Sequence, residues 1–497
     1  MQISVRKGDL VKAKADLLVV NVFQGQQTLG GATDAVNEAL GGQLKTLMKE
    51  DRFTGELGKS YLFRPTSGVM AKRILVVGLG KKKEFELDSV RKAAAVSFGV
   101  ANALGVKRVV SVLHGAGNGG LVPRDCARAI TEGVVLASYR FGIYVKPQKK
   151  QVDAFEIVTS DGRAVRSAEL GIEDGEIGAE GAIFARDLVN MPANDMLPET
   201  LVEKAKEIGV GKGSIRVRVY DQEKLEKMGA GSLLAVAKGS DNPPYLVHMI
   251  YTPEGKAKKK VCLVGKAVTF DSGGLSLKPA NFMETMKCDM GGSAVVLGVF
   301  SVIDRLAPKA EVHGIFGAVE NMPSGKAFRP GDVVTAMNKK TIEVLNTDAE
   351  GRLTLADTLT YATKQKPDFI IDLATLTGAC VVALGEEISA VMSNDTALTD
   401  QILSAAKAAD EKMWPLPLEK NYKPLLKSDV ADLKNIGGRW GGAITAGLFL
   451  EEFVAEIPWA HIDIAGATFA ERPIDAYTPK GGTGHAVRTL LELLRSI

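Results

Sequence analysis

The chain has 497 residues, 45% of them hydrophobic and 24% charged, and a formal net charge of +3. Such a length implies two to four domains, and such a composition an ordinary globular protein with room for full cores. The charge is too small to point to nucleic acid or a membrane surface. No Lys/Arg block with interleaved aromatics occurs, so neither partner is expected.

Taken in chain order, the first part alternates strand and helix patterns. Met1 to Val20 has lysines in its first half and no long apolar core, so it does not read as a signal peptide. Leu17–Val22 is a compact apolar run, and Arg73–Val77 is another, closed by Gly78-Leu79-Gly80. Val90–Leu104 reads as an Ala-rich helix, Arg108–Leu113 as a strand, Arg124–Tyr139 as a helix and Phe155–Val158 as the last strand of the unit. This alternation predicts a largely parallel sheet covered on both faces. Gly115-Ala-Gly-Asn-Gly-Gly120 fits Gly-x-Gly-x-x-Gly, but no acidic residue ends a strand about twenty positions later, so dinucleotide binding is not favoured there. Between Asp161 and Glu176 the pattern lapses into glycines and acids, which suggests a domain boundary. A connecting helix follows, from about Glu176 to Val189, and stops before Pro192.

The second part repeats the alternation on a larger scale. Strands are predicted at Ile215–Tyr220, Leu246–Ile250, Val261–Val264, Val312–Phe316, Phe369–Leu373 and Ile462–Ile464, with helices at Met290–Leu306 and Leu353–Thr363. The apolar stretch Phe369–Leu384 is broken by Asp372 and several threonines and does not read as membrane-spanning. Cys126, Cys262, Cys288 and Cys380 form no Cys-x-x-Cys pair, so free thiols in a reducing, cytoplasmic setting are expected.

Two clusters carry candidate chemistry. Val264 to Lys278 begins at the end of a buried strand, where α/β sheets place their sites. Lys266 and Asp271 are assigned to the loop after that strand, the Gly273-Gly274 pair to a sharp turn, and Asp289 to a helix start just beyond. The second cluster, Asn346 to Arg352, holds Asp348 and Glu350, which point to one side if the segment is extended. Like charges so close need a positive partner, and a divalent cation or Arg352 would serve. Helix capping is the plain alternative for both clusters. Asp271, Asp289, Asp348 and Glu350 together suit two divalent metals with oxygen-rich ligation. The five histidines are scattered, and neither His-Glu-x-x-His nor Gly-x-Ser-x-Gly is present. A different two-metal hydrolase such as a phosphoesterase, or a binding scaffold without chemistry, remains open on the residues alone.

At these clusters the sequence resembles the leucyl aminopeptidase family of two-metal peptidases. Asn346–Leu353 reads as that family's signature, and the spacing of Lys266, Asp271, Lys278 and Asp289 matches it. The likeness runs through Ala185–Asn190, Asp432–Gly438 and Pro458–Gly466. It implies a metal-dependent enzyme that removes leucine and similar residues from the N-terminus of peptides. It also implies two divalent ions, Zn²⁺ or Mn²⁺, held by Lys266, Asp271, Asp289, Asp348 and Glu350. Lys278 would contact the substrate carbonyl, Arg352 would hold a bicarbonate base, and Met286, Thr375, Gly378 and Ala465 would line the substrate. Ala267 stands where the family usually has Gly, and Thr468 where some members have Met. The implied assembly is a homohexamer. The implied fold is α/β with a smaller N-terminal domain, 1–165, a connecting helix, 166–192, and a larger catalytic α/β/α domain with a mixed sheet, 193–497.

Overall fold

The computed structural model describes residues 1–26, 28–145 and 152–497. It divides into two compact units, Met1–Glu180 with Arg472–Pro479, and Gly181–Glu471 with Lys480–Ile497.

The first unit is built on β1 (Gln2–Lys7), β2 (Leu17–Val22), β3 (Ser60–Phe63), β4 (Ile74–Gly78), β5 (Arg108–Val112) and β6 (Ala154–Thr159). Their order is β1-β6-β5-β2-β4-β3, and only the β3–β4 pair is antiparallel. Strand alternation feeds two cores. Leu17 and Val19 pack with Val90, Ala94 and Ile130 on one face, while Leu18, Val20 and Val22 pack with Val36, Leu44 and Met48 on the other. The parallel sheet covered on both faces is thus present. The edge strands β1 and β3 bury too few side chains to give an apolar run, which is why the sequence pattern missed them.

The stretch Asp161–Glu176, which reads as a lapse in pattern, is almost wholly helical, because a single helix covers Gly162–Asn190. Its glycines mark close packing. A Cβ at Gly171 would fall on the Arg124 carbonyl oxygen, and one at Gly175 would lie 2.7 Å from that of Arg128, both on the helix Pro123–Ala137. The division between the units falls inside the long helix, and Arg472–Pro479 returns to the first unit, where the Tyr477 hydroxyl donates to Asp88 at 2.7 Å.

The second unit holds β7 (Ile215–Tyr220), β8 (Tyr245–Tyr251), β9 (Lys259–Asp271), β10 (Ala310–Asn321), β11 (Val333–Thr335), β12 (Thr341–Glu343), β13 (Phe369–Ala374), β14 (Ser389–Ser393), β15 (Met413–Pro415), β16 (Leu433–Lys434) and β17 (Trp459–Asp463). Its main sheet has the order β15-β14-β17-β13-β9-β10-β8-β7 and is mixed. The central strands β17, β13, β9 and β10 are parallel, with antiparallel partners outside them. Helices cover both faces. A Cβ at Gly314 would meet Phe300 and Val296 of the helix Gly291–Leu306, whereas one at Gly317 would meet Leu233 and Thr358 from the helices Gly231–Ala237 and Gly351–Thr363. The stretch Ala280–Leu306 is long and apolar enough to cross a membrane, but 83% of its apolar window is buried inside the protein, as befits a core helix.

Candidate metal centre

The carboxyl ends of β9, β13 and β17 lie side by side, and the predicted site residues gather there. Lys266 and Asp271 belong to β9 itself, a correction to their assignment to a following loop. The strand continues because β10 pairs with it as far as Asn321, opposite Asp271. Asp289 sits in the short 3-10 turn Met286–Met290 ahead of the helix Gly291–Leu306, and its side chain caps nothing. Glu350 holds the N-cap position of the helix Gly351–Thr363, again without a side-chain cap bond. The capping alternative therefore fails for both residues. Asp348 lies in a turn and not in an extended segment, yet its carboxylate still meets those of Asp271 and Glu350, with one oxygen of each within 4.8 Å of the others.

Glycines set these approaches. At Gly292 a Cβ would fall on the Leu373 carbonyl oxygen and lie 2.6 Å from the Lys266 amide nitrogen, so the helix start is held against β9 and β13. Gly273 has φ +86°, and a Cβ there would stand 2.8 Å from Asp348 Oδ1.

The two lysines bridge the carboxylates. Lys266 Nζ is 2.7 Å from Asp289 Oδ1 and 2.8 Å from Glu350 Oε1, and it donates to the Thr375 carbonyl at 3.0 Å. Lys278 Nζ is 2.9 Å from Asp271 Oδ2 and 2.6 Å from Asp348 Oδ1. Four carboxylates thus face two ammonium groups. Burial and the neighbouring Glu350 push the carboxyls of Asp289 and Asp271 above the usual range, and burial with Asp271 does the same for Asp348. Burial disfavours the Lys266 ammonium, but Asp289, Glu350 and Asp271 overcome it and hold the group above its ordinary value. Arg352 is buried, which lowers it to about 10, and its Nη1 donates to the Asn435 carbonyl at 2.7 Å.

A divalent ion fits this set. The four carboxylates outnumber the two ammonium groups, and the buried Asp289 Oδ2 has no hydrogen-bond partner among the described residues. Oxygen donors with one amine nitrogen suit Zn²⁺ or Mn²⁺.

Of the residues expected along the substrate, Thr375 donates its hydroxyl to Asp289 Oδ1 at 2.8 Å. Met286 opens the turn that carries Asp289, and exposed Gly378 starts the helix Gly378–Leu384. The Ala465 amide donates to Asp463 Oδ1, which also takes the Leu376 amide, so one carboxylate ties the loops after β13 and β17. Thr468 is buried and would meet a Cβ at Gly291 at 2.5 Å.

Three supporting residues escaped the sequence reading. Asn321 donates to Asp271 Oδ1 at 2.8 Å and to the Thr347 carbonyl at 3.1 Å. Asn435 accepts from the Leu345 amide at 2.8 Å and donates to the Asn346 carbonyl at 2.7 Å, which pins the loop of Asp348. Asp463 is the third. Asn435 and Asp463 lay inside stretches noted for their resemblance, but a buried Asn or Asp in a strand or loop has no spacing that betrays its partner.

A buried, oxygen-rich centre at the carboxyl ends of parallel strands, in a two-unit α/β chain, is the architecture of a metal-dependent hydrolase. Comparison with known proteins narrows the class. Residues 183–491 match the "Cytosol aminopeptidase family, catalytic domain" and residues 19–147 the same family's N-terminal domain. A protein of Alkaliphilus oremlandii named "Probable cytosol aminopeptidase" is 42% identical over 500 residues, covering 100% of both chains. One of the same name from Persephonella marina is 44% identical over 504 residues, covering 99% of each. Among solved structures, a mutant of tomato leucine aminopeptidase has a TM-score of 0.90 at 35% identity, covering 100% of this chain and 97% of that one. The bottromycin maturation enzyme BotP in complex with Mn has a TM-score of 0.86 at 36% identity, covering 97% and 99%. The chain belongs to the cytosol aminopeptidase family. It is a metal-dependent aminopeptidase, a hydrolase of peptides.

Proposed function

We propose that the centre holds two divalent cations, Zn²⁺ or Mn²⁺, with Lys266, Asp271, Asp289, Asp348 and Glu350 as ligands, and that it removes leucine and similar residues from peptide N-termini. The observation that carries this reading is the meeting of five side chains from three segments in one largely buried cluster. Bound there, the cations supply Lewis acidity and a water nucleophile effective near neutral pH. The chain's own groups do the rest. The Lys278 ammonium is less buried than that of Lys266 and faces the substrate carbonyl, where it stabilises developing negative charge. Arg352 would hold a bicarbonate, which would supply the general base. Met286, Gly378 and Ala465 line the substrate side chain, with Thr375 holding Asp289 in place at its edge. The acidic centre selects a free α-amino group, which confines cleavage to the N-terminus. The chain works as a homohexamer in the cytoplasm.

The test is elemental analysis joined to kinetics. Two equivalents of metal per chain are expected. Prolonged chelation should abolish hydrolysis of a leucyl amide, Zn²⁺ or Mn²⁺ should restore it, and an N-acetylated peptide should resist cleavage. Full activity in a verified metal-free sample, or equal cleavage of acetylated and free peptides, sinks the reading. Sedimentation in dilute buffer checks the sixfold mass.

A further inference from the structure

The edge of the main sheet opposite β15 carries a second polar cluster that the peptidase reaction does not use. Strands β7, β8 and β10 lie in antiparallel register, with Arg218 opposite His248, Arg216 opposite Ile250, and Ile250 opposite His313. These residues therefore share one face of the sheet. There His248 Nε2 is 2.8 Å from His313 Nδ1, His248 Nδ1 is 3.0 Å from the Tyr361 hydroxyl, and His313 Nε2 is 2.9 Å from Glu311 Oε1. Burial pushes both rings down, His248 to about 3, so both are neutral. The chain then has a direction. His248 donates to His313 and His313 to the Glu311 carboxylate, which also has Lys260 Nζ at 3.1 Å. Every donor of the two rings is consumed, and the Glu311 charge is answered from within.

Above this floor lies a recess of about 300 Å³, lined by Arg216, Arg218, Ser214, Thr252, Glu311 and His313 among others. The side chains of Arg216, Arg218, Ser214 and Thr252 make no ion pair or hydrogen bond among the described residues. Two guanidiniums with five donors each, and two free hydroxyls, therefore face a pocket whose one carboxylate is already neutralised. Residues two apart on a strand stand about 7 Å apart, which lets two arginine forks straddle one tetrahedral anion. We propose that this recess binds a phosphate-class oxyanion, inorganic phosphate or a small phosphate monoester, between Arg216 and Arg218. Glu311 and Asn321 are ten residues apart along β10, so about 30 Å separates the recess from the metal centre. The two sites are distinct.

The experiment titrates inorganic phosphate and, separately, glycerol phosphate into the metal-loaded enzyme by calorimetry, using wild type and the double variant Arg216→Ala/Arg218→Ala. Wild type should bind one more anion per chain than the variant, or bind it at least tenfold more tightly. Arg218→Lys, which keeps charge but loses the fork, should fall between them. Whichever ligand binds more tightly identifies the anion's source. Phosphate-free hydrolysis of a leucyl amide and the assembly mass should be the same in all three proteins. Equal binding by wild type and double variant would place the anion elsewhere and overturn the proposal. So would no binding to wild type at millimolar phosphate, or a changed assembly mass, which would make the arginines a subunit contact.

Discussion

Lys266 and Lys278 each lie between two carboxylates, yet they should fail differently when removed. The Lys266 side chain is 4% exposed and that of Lys278 14%, and only Lys266 also spends a proton on a backbone carbonyl, that of Thr375. Lys266→Ala takes the partner from two buried carboxylates, an uncompensation that costs about 3–5 kcal/mol, and it should lower bound metal. Lys278→Ala should leave the metal in place and lower kcat by about 10²–10³, as for a lost oxyanion donor. Bound metal, unfolding midpoint and steady-state kinetics on both variants separate the roles. The assignment fails if Lys278→Ala empties the centre while Lys266→Ala stays loaded. A further residue-scale prediction concerns Asp372, which is fully buried and accepts hydrogen bonds from Trp459 Nε1 at 2.6 Å and His461 Nδ1 at 2.6 Å. Burial opposes charge on His461, but the Asp372 carboxylate prevails and raises it. Asp372→Asn turns one acceptor into a donor facing a donor. It should lower stability by about 1–3 kcal/mol, read as a shifted urea midpoint.

The helix Gly291–Leu306 meets β9 and β13 through glycine, and this contact sets the distance from Asp289 to Lys266. Gly292→Ala should push the helix start away, cost about 1–3 kcal/mol as an overpacked contact, and lower metal affinity. An unchanged metal content and urea midpoint would show that the contact yields freely. The same element shows what the sequence conveys. Val261–Val264 reads as a strand because its side chains are apolar, and the reading halts at Gly265 and Lys266, where a buried charge interrupts the run. Nothing local reveals that β10 supplies a hydrogen-bonding edge for seven further residues, up to Asp271. The glycines at 171 and 175 mislead in the opposite sense, since they look like a break and serve as contact points within one helix. The carboxylates were legible as residue types and as a family pattern. Their meeting was not, because it depends on parallel strands that end together. Asn321, which bonds to Asp271 at the end of β9, left no signal beyond its letter, and Asn435, which holds the loop of Asp348, showed only as part of a resembling stretch.

Across the whole molecule, stability should carry the mark of Asp357. It is fully buried and accepts from the Leu233 amide at 2.8 Å and the Met337 amide at 2.6 Å, so it joins three separate segments. Burial raises its carboxyl from 3.8 to about 7. The folded chain therefore keeps a proton that the unfolded chain releases near 3.8. This contribution is fully present below that pH, declines as pH rises, and is exhausted above about 7. Asp357→Asn should remove the decline between about pH 4 and 7. Urea midpoints of both proteins at pH 5 and 7.5 measure it, and an identical slope in the two would exclude Asp357 as its source.

The return of Arg472–Pro479 to the first unit has a consequence for how the protein is made. A ribosome delivers residues 1–180 first, but Tyr477, which is buried and bonded to Asp88, follows only after most of the second unit. The amino-terminal unit is therefore born with a piece missing and must wait, open at that position, through the synthesis of almost the entire second unit. Its closure waits on residues 472–479, and translation that stops short of residue 477 leaves it unfinished.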